Sequence, residues 1–322
     1  MNMQADFDAV NGCVCVIGSM NADYTVLTER LPQPGETVNG GPMRILPGGK
    51  SGNQAAAAAL LGADVKMFGA VGRDSNAEFL LGKLTGAGVD VGHVLHSEGP
   101  SGATLITVDA YGENTIVYSP GSNALVTPAY VEFEKEGLTS ASVLGLCMES
   151  PMETVVAAAC MCHHAGMKVL LNDSPFVIDL PQALIEASDI LLVNELEAVQ
   201  LLGIEEPADG DWDGLDWHGI AHAVRRFGFE SAVVTLGCDG SIVIDGDEIV
   251  RIAPVPIAAL DTTGCGDAFM GTILAGLASG FSLARAARLA SYVSAYAALS
   301  EGAQASYGSP DQVMACFAEA ER

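Results

Sequence analysis

Basic residues are scarce in this chain of 322 residues: 14 Lys and Arg stand against 40 Asp and Glu, a formal net charge of −26. No window concentrates cations and only Arg225 and Arg226 are adjacent, which argues against nucleic acid as a partner, because phosphate backbones are held by basic patches. Long apolar runs are missing too. The longest, Val155 to Cys162, falls far short of the about 18 residues of a membrane span, so no membrane partner is expected. The N-terminus, MNMQADFDAVNG, carries acid where a secretory signal has a basic stretch leading into an apolar one, and a cytoplasmic location is the expectation. The C-x-x-C spacing of zinc sites is absent. The eight cysteines (13, 15, 147, 160, 162, 238, 265 and 316) lie mostly in apolar runs, as reduced, buried thiols do. Charged residues make up 17% of the chain, below the usual share of about 25%, while 49% are hydrophobic, so disorder is excluded and a large core can form.

What is present is an alternation of strand-like and helix-like patterns. Strands are expected at Cys13–Gly18, Val65–Val71, Val143–Cys147, Lys168–Leu171, Ile190–Val193 and Ser231–Thr235, as apolar runs suited to burial on both faces. Helices are expected between them at Gly52–Leu61, Ala77–Gly86, Met152–His164, Pro181–Ala187, Glu195–Leu202 and Gly219–Phe227. This rhythm marks an α/β fold with a mostly parallel sheet flanked by helices. A hairpin at Ile242–Asp245 and Glu248–Ile252 follows, then helices at Ala268–Ser279, Leu283–Leu299 and Asp311–Ala320. Two segments, 37–46 and 104–119, alternate apolar and polar residues and read as a small, half-exposed β-sheet. As a lid it would lie over the carboxyl ends of the strands, where open α/β sheets bind ligands. The whole of 1–322 is read as one domain with this lid as a subregion, and the acidic stretch Glu205–Asp216 as a solvated loop.

Two nucleotide-binding patterns fail. In G-x-x-x-x-G-K-[ST], Gly49-Lys50-Ser51 would need glycine where Arg44 stands, and Gly264-Cys265-Gly266 is followed by Phe269 where a dinucleotide fingerprint needs glycine or alanine. The stretch Asp261-Thr-Thr-Gly-Cys-Gly-Asp-Ala-Phe269 instead feeds a helix, so that the backbone N–H groups of Gly264, Cys265, Gly266 and Asp267 would converge as an anion hole with the helix dipole behind them. Asp267 then has two readings. It is a helix N-cap, or it accepts the proton of an attacking hydroxyl while the amides hold a transferred phosphoryl group.

The pair Gly48-Gly49-Lys50-x-x-Asn53 and D-T-T-G-x-G-D-A-F at 261–269 resembles the two signatures of the ribokinase (PfkB) family of carbohydrate kinases, over a span from Val16 to about Ser306. G-S-M-N-A-D (18–23), P-G-E-T (34–37), G-E-N (112–114), E-S-P-M-E (149–153) and G-A-Q-A-S (302–306) resemble, within it, the ribose-phosphorylating members. The resemblance implies a ribokinase-like fold and ATP-dependent phosphorylation of the terminal (5-) hydroxyl of D-ribose. The sugar would be held by Asn21, Asp23, Gly49, Lys50, Asn53 and Glu149, with Asp267 as base and Gly264, Cys265 and Gly266 in the anion hole. For ATP it implies Asn194, Thr235, Gly237, Gly240, Gly266 and Ser291, with Glu197 serving Mg²⁺ through water. For a monovalent cation, K⁺, it implies Asp261, Thr263, Ala297, Ser300, Gly302 and Ser306. A homodimer joined through the lid is a further implication. A kinase for deoxyribose, fructose or adenosine, or a non-catalytic sugar or nucleotide sensor, are the alternatives.

Two positions depart from the family pattern: Ser51 replaces the usual glycine after Gly-Gly-Lys, and Cys265 the usual alanine of the anion hole. At a helix N-terminus the Cys265 thiol could have a lowered pKa and be open to oxidants, or be an inert packed thiol.

Overall fold

The structure, a computed structural model, describes residues 2–204, 206–207 and 210–318. The chain opens with α1 (Met3–Asp8) and β1 (Cys13–Ile17), then β2 (Asn21–Leu27), β3 (Arg44–Gly48), α2 (Lys50–Leu60), β4 (Asp64–Val71) and α3 (Ser75–Gly86). Next come β5 (Asp90–His96), β6 (Gly102–Val108), β7 (Asn114–Ser119), α4 (Pro128–Phe133), α5 (Lys135–Leu138), β8 (Val143–Cys147) and α6 (Met152–His164). They are followed by β9 (Lys168–Asn172), α7 (Gln182–Glu186), β10 (Ile190–Asn194), α8 (Glu195–Leu202), α9 (Trp217–Phe227) and β11 (Ser231–Thr235). The chain continues through β12 (Ser241–Asp245), β13 (Glu248–Ile252), α10 (Cys265–Ala278), α11 (Leu283–Ala297) and α12 (Pro310–Phe317).

The large sheet runs β13-β12-β11-β10-β9-β8-β1-β4-β5 and is parallel except for the pairings of β12 with β11 and β13. Both its faces are covered, which is why its strands read as continuous apolar runs. On β1, Val14 and Val16 enter a core shared with α2, α10 and α11, while Cys15 and Ile17 enter a second core with α6 and α9. From β1 the chain moves to β4 and β5 on one side, and from β8 it moves the other way. The order therefore reverses between β1 and β8, and a crevice opens beyond their carboxyl ends.

The strand and helix pattern of the large sheet matches expectation to within a few residues, since burial on two faces leaves a strong apolar signal. The edge strand β5 was not expected. Its burial alternates along a polar, half-exposed sequence, so no apolar run announces it.

The small sheet differs more from expectation. Its order is β3-β2-β6-β7, with β2 and β6 parallel. Pairing in the first segment begins at Arg44 rather than at residue 37, with only an isolated bridge between Thr28 and Gly40 before it. Asn21 and Asp23, expected at the end of the first strand, lie on β2, the missed inner strand. Its residues Asn21 to Val26 do alternate polar and apolar, but only three residues separate it from the end of β1, so it does not stand out in the sequence as an element of its own. The segment 104–119 lies in this sheet as expected, its strands β6 and β7 paired antiparallel. Residues 205, 208 and 209 of the acidic stretch, and 319–320 of the last expected helix, lie outside the described residues. Within the acidic stretch Trp212 is buried, so that part is anchored rather than simply solvated.

Helices α2 and α10 meet across the first core. The run Ala55–Ala59 gives α2 small, buried side chains on every side, and Gly271 of α10 sits against it: a Cβ there would lie 2.5 Å from the Gln54 carbonyl oxygen and 2.7 Å from Ala57 Cβ. Small side chains on both helices thus let the backbones approach. Gly271→Ala gains up to about 1 kcal/mol of helix propensity, but it must push two backbones apart. A net loss of about 1–2 kcal/mol is expected in urea unfolding; an unchanged midpoint would contradict this packing.

Candidate functional site

The crevice at the reversal of strand order gathers its side chains from four places. After β1, Ser19 Oγ donates to Glu149 Oε2, and the Lys50 N–H donates to the same oxygen at 2.9 Å. Glu149 follows β8, so one carboxylate ties the two strands at the switch point to the start of α2. Gly49 has φ +88°, and a Cβ there would stand 2.8 Å from Met20 Cα, so only glycine can turn the chain into α2 this close to β2. On β2, Asn21 Oδ1 accepts from Asn123 Nδ2 at 2.8 Å, and Asp23 Oδ1 accepts from Thr104 Oγ1. Burial first, then Glu149 and Asp267, raise the Asp23 carboxyl to about 6, against the Thr104 hydrogen bond.

Asp267 is buried at the head of α10. It is the third helical residue and caps nothing: the N-cap is Gly264, and the carboxylate turns instead onto α2. Asn53 Nδ2 donates to its Oδ2 at 2.9 Å and Gln54 Nε2 to its Oδ1 at 3.1 Å, while Gln304 Nε2 donates to Asn53 Oδ1 at 3.0 Å. Burial pushes the Asp267 carboxyl up, and Glu149 adds to this; Lys50 and the two amides pull it back without cancelling the rise. Burial disfavours charge on Lys50, yet Asp267, Glu149, Cys147 and Glu197 outweigh it and hold the ammonium above its ordinary value.

The glycine loop before Asp267 faces open space. Gly264 has φ +77°, and a Cβ on it would strike Ala303. Among the described residues no acceptor meets the N–H of Gly264, Gly266 or Asp267. Cys265 was expected to join them, but its N–H closes a turn onto the Thr262 carbonyl at 3.2 Å, so the open amides number three rather than four. A Cβ on Gly266 would meet nothing. The chain itself leaves that space clear, as an anion cradle requires.

Two clefts adjoin this loop. One, of about 230 Å³, is lined by Lys50, Asn194, Glu197, Thr235, Gly266 and Asp267 among others. The other, of about 340 Å³, shares Thr235, Thr262 and Gly266 with it and adds Gly237, Gly240, Val255, Phe269 and Ser291. Lys50 and Asp267 stand on the boundary, with Glu149, Asn53, Asp23 and Asn21 beyond them. Asn194 and Glu197 form a reciprocal capping box on α8, at 2.8 Å in both directions, so one Glu197 oxygen is already engaged. Near the loop, Asp261 accepts from the N–H groups of Thr263 at 2.9 Å and Gly302 at 2.8 Å, which together lower its carboxyl despite burial. Those bonds, with that from Leu260 N–H to the Ala298 carbonyl at 2.8 Å, dock 297–306 against 260–264.

A pfkB family carbohydrate kinase model matches residues 12–310. The chain belongs to that family. It is 34% identical to ribokinase of Bacillus subtilis over 297 residues, 90% of this chain and 94% of that one, and 30% identical to deoxyribokinase of Salmonella typhi over 302 residues, 93% and 96%. A solved structure of Arabidopsis thaliana ribokinase, complexed with ribose and ATP, superposes with a TM-score of 0.85 at 28% identity, covering 95% of this chain and 98% of that one. The fold is accordingly ribokinase-like, and the activity is that of a carbohydrate kinase.

Residues expected from the resemblance thus converge from positions as far apart as 21 and 267, and those expected at the nucleotide line the two clefts. Sequence reasoning missed Asn123, Gln54, Gln304, Thr104 and Tyr118. The register carries one row Leu46, Asp23, Thr104, Tyr118 across the small sheet, and burial, Glu149 and Asn123 act on the Tyr118 phenol. Gln304 stood inside the stretch 302–306 and Gln54 directly follows Asn53, but only strand pairing and helix contact reveal the rest. Of the two readings of Cys265, the packed thiol is the one the structure supports: burial, then Asp261, push the thiol up to about 11. Iodoacetamide at pH 8 should label the exposed Cys238 and Cys316 about tenfold or more faster than Cys265; peptide mapping with Cys265 labelled first would reverse this conclusion.

Proposed function

We propose that this carbohydrate kinase transfers the terminal phosphoryl group of ATP to the 5-hydroxyl of D-ribose, giving ribose 5-phosphate and ADP. The observation that carries the reading is the position of Asp267, a buried carboxylate between three open amides on one side and Lys50, Asn53 and Glu149 on the other. Asn21, Asp23, Gly49, Lys50, Asn53 and Glu149 hold the sugar. Paired carboxylates and amides suit hydroxyls, each of which both donates and accepts, and a site so built rejects acceptors that leave a buried group unpaired. An alcohol is too weak an acid to ionise beforehand. Asp267 orients it and takes its proton as the new O–P bond forms and the bond to the ADP oxygen breaks. The N–H groups of Gly264, Gly266 and Asp267 neutralise the charge on the transferring group.

ATP, which supplies that group, is assigned to the two clefts, with its phosphates near Asn194 and Gly266 and its base in the apolar part near Ser291. Glu197 keeps one oxygen outside its capping box. Among the described residues no cluster of three or more His, Cys, Asp and Glu side chains could grip a metal, which suits Mg²⁺ retaining most of its waters. The oxygens of Asp261, Thr263, Ala297, Ser300, Gly302 and Ser306 suit K⁺ as hard donors around a single carboxylate. Its charge would add to the positive end of α10. These cosubstrates and the unpaired cysteines accord with a cytoplasmic enzyme. The deoxyribokinase relative favours 2-deoxyribose as the runner-up acceptor.

Asp267→Asn should lower turnover by about 10²–10⁴-fold while calorimetric ribose binding stays within a few fold; undiminished turnover would sink the mechanism. In the same assay, ADP release with ribose should exceed that with deoxyribose, fructose and adenosine, and a higher rate with any of these would replace ribose as the substrate.

The small sheet leaves apolar side chains in water. Ile45, Leu105 and Val117 share one row with Tyr24, and Leu27 and Ile116 lie on the opposite face. Exposed apolar sheet surface of this kind marks an interaction site. It supports a homodimer joined through this sheet, which would close over the sugar as a lid. Sedimentation at micromolar concentration should give twice the chain mass; a monomer would remove this part of the proposal.

A further inference from the structure

Both oxygens of the Asp267 carboxylate are taken by amides of consecutive residues on α2: Asn53 Nδ2 at 2.9 Å and Gln54 Nε2 at 3.1 Å. Gln54 is wholly buried, and its own Oε1 has no hydrogen-bond partner. An unpaired buried acceptor costs about 1–3 kcal/mol. Turning the amide over would set oxygen against oxygen, which an ionised carboxylate cannot tolerate. The Gln54 side chain therefore carries an orphaned oxygen in order to donate to Asp267. Asn53 is held in the matching orientation from behind, because Gln304, on the partly exposed turn that follows Gly302, donates to its Oδ1 at 3.0 Å.

We infer that Gln54, and Gln304 acting through Asn53, are positioning residues for the base: they fix the plane of the Asp267 carboxylate and leave the second lone pair of each oxygen for the acceptor hydroxyl. This inference rests on the reading of Asp267 as the base. Gln54 need touch neither the sugar nor the nucleotide, so its loss acts on kcat and on the ionisation of Asp267; Gln304 acts through Asn53, which also holds the sugar, so its loss moves the sugar KM as well. The charged and titratable groups facing Asp267 are Lys50 of α2, Glu149 after β8, Asp23 of β2, Cys265 of α10 and Tyr307. Of these only Lys50 favours the carboxylate, so the two amides are the remaining groups that oppose the effect of burial on it.

Gln54→Leu keeps most of the volume and removes the donor. It should lower kcat about tenfold or more, change the sugar KM little, and move the acid limb of the kcat/KM profile up by about one pH unit. The sign follows from the bond: an N–H donor favours the charged form, so its removal raises the pKa. Gln54→Glu, which sets a second carboxyl against Asp267, should move the limb further, and Gln304→Leu less, since it acts through Asn53. An acid limb within 0.2 units of the parent's (a margin of about 0.3 kcal/mol) in Gln54→Leu would overturn the inference, as would a raised KM at unchanged kcat. Should Gln54→Leu fail to fold, Gln304→Leu carries the same test of the acid limb on a partly exposed turn. The carboxyl carbon of Asp267, labelled with ¹³C and assigned by its loss in Asp267→Asn, should titrate higher in the glutamine variants even without substrate. If the parent chain phosphorylated no alcohol, the reading of its function would fail while this titration still decided the role of Gln54.

Discussion

The site depends on one buried carboxylate and on the donors that favour its charged form against burial. Asp267 is moved from water into the seam between two helices, where burial alone would neutralise it. Two side-chain amides and one ammonium oppose that tendency, and all three come from the first five residues of α2. The rest of the architecture serves this approach. Alanines along α2 and Gly271 on α10 let the helices pack closely, and the tight turn at Gly49 aims the start of α2 at the head of α10.

Around this point the chain manages an unfavourable charge balance. Three carboxylates, Glu149, Asp267 and Glu197, act on one lysine, and Asp23 adds a fourth acid beside the first two, in a chain of net charge −26. Backbone and hydroxyl donors share the load: Ser19 and the Lys50 N–H serve Glu149, and Thr104 serves Asp23. The open amides at α10 then offer positive potential where side-chain cations are few. In the proposed site, backbone dipoles take the place that arginines would fill in a more basic protein.

Much of the fold was legible in the sequence where burial on both sides leaves continuous apolar runs, as in β1, β8 and β11. It was not legible where a strand faces ligand space on one side and water on the other. Asn21 and Asp23 were expected at the end of the first strand and lie on β2, and the small sheet contains a parallel pair that no local pattern specifies. In the site, the glycine-rich segments announced themselves because backbone turns and close approaches demand glycine. The amides that meet those segments did not, because a glutamine's partner lies across the fold.

The sequence by itself determined the α/β class, the family through its two signatures, and the helix mouth with its aspartate. These are local matters of periodicity, steric room and dipole. Only the tertiary structure decided that Asp267 caps nothing, that Cys265 spends its N–H on a turn and keeps its proton, and that Gln54 and Gln304 stand behind the carboxylate. Each of these turns on desolvation or on a contact between residues distant in the chain, and both exist only once α2 and α10 have packed together.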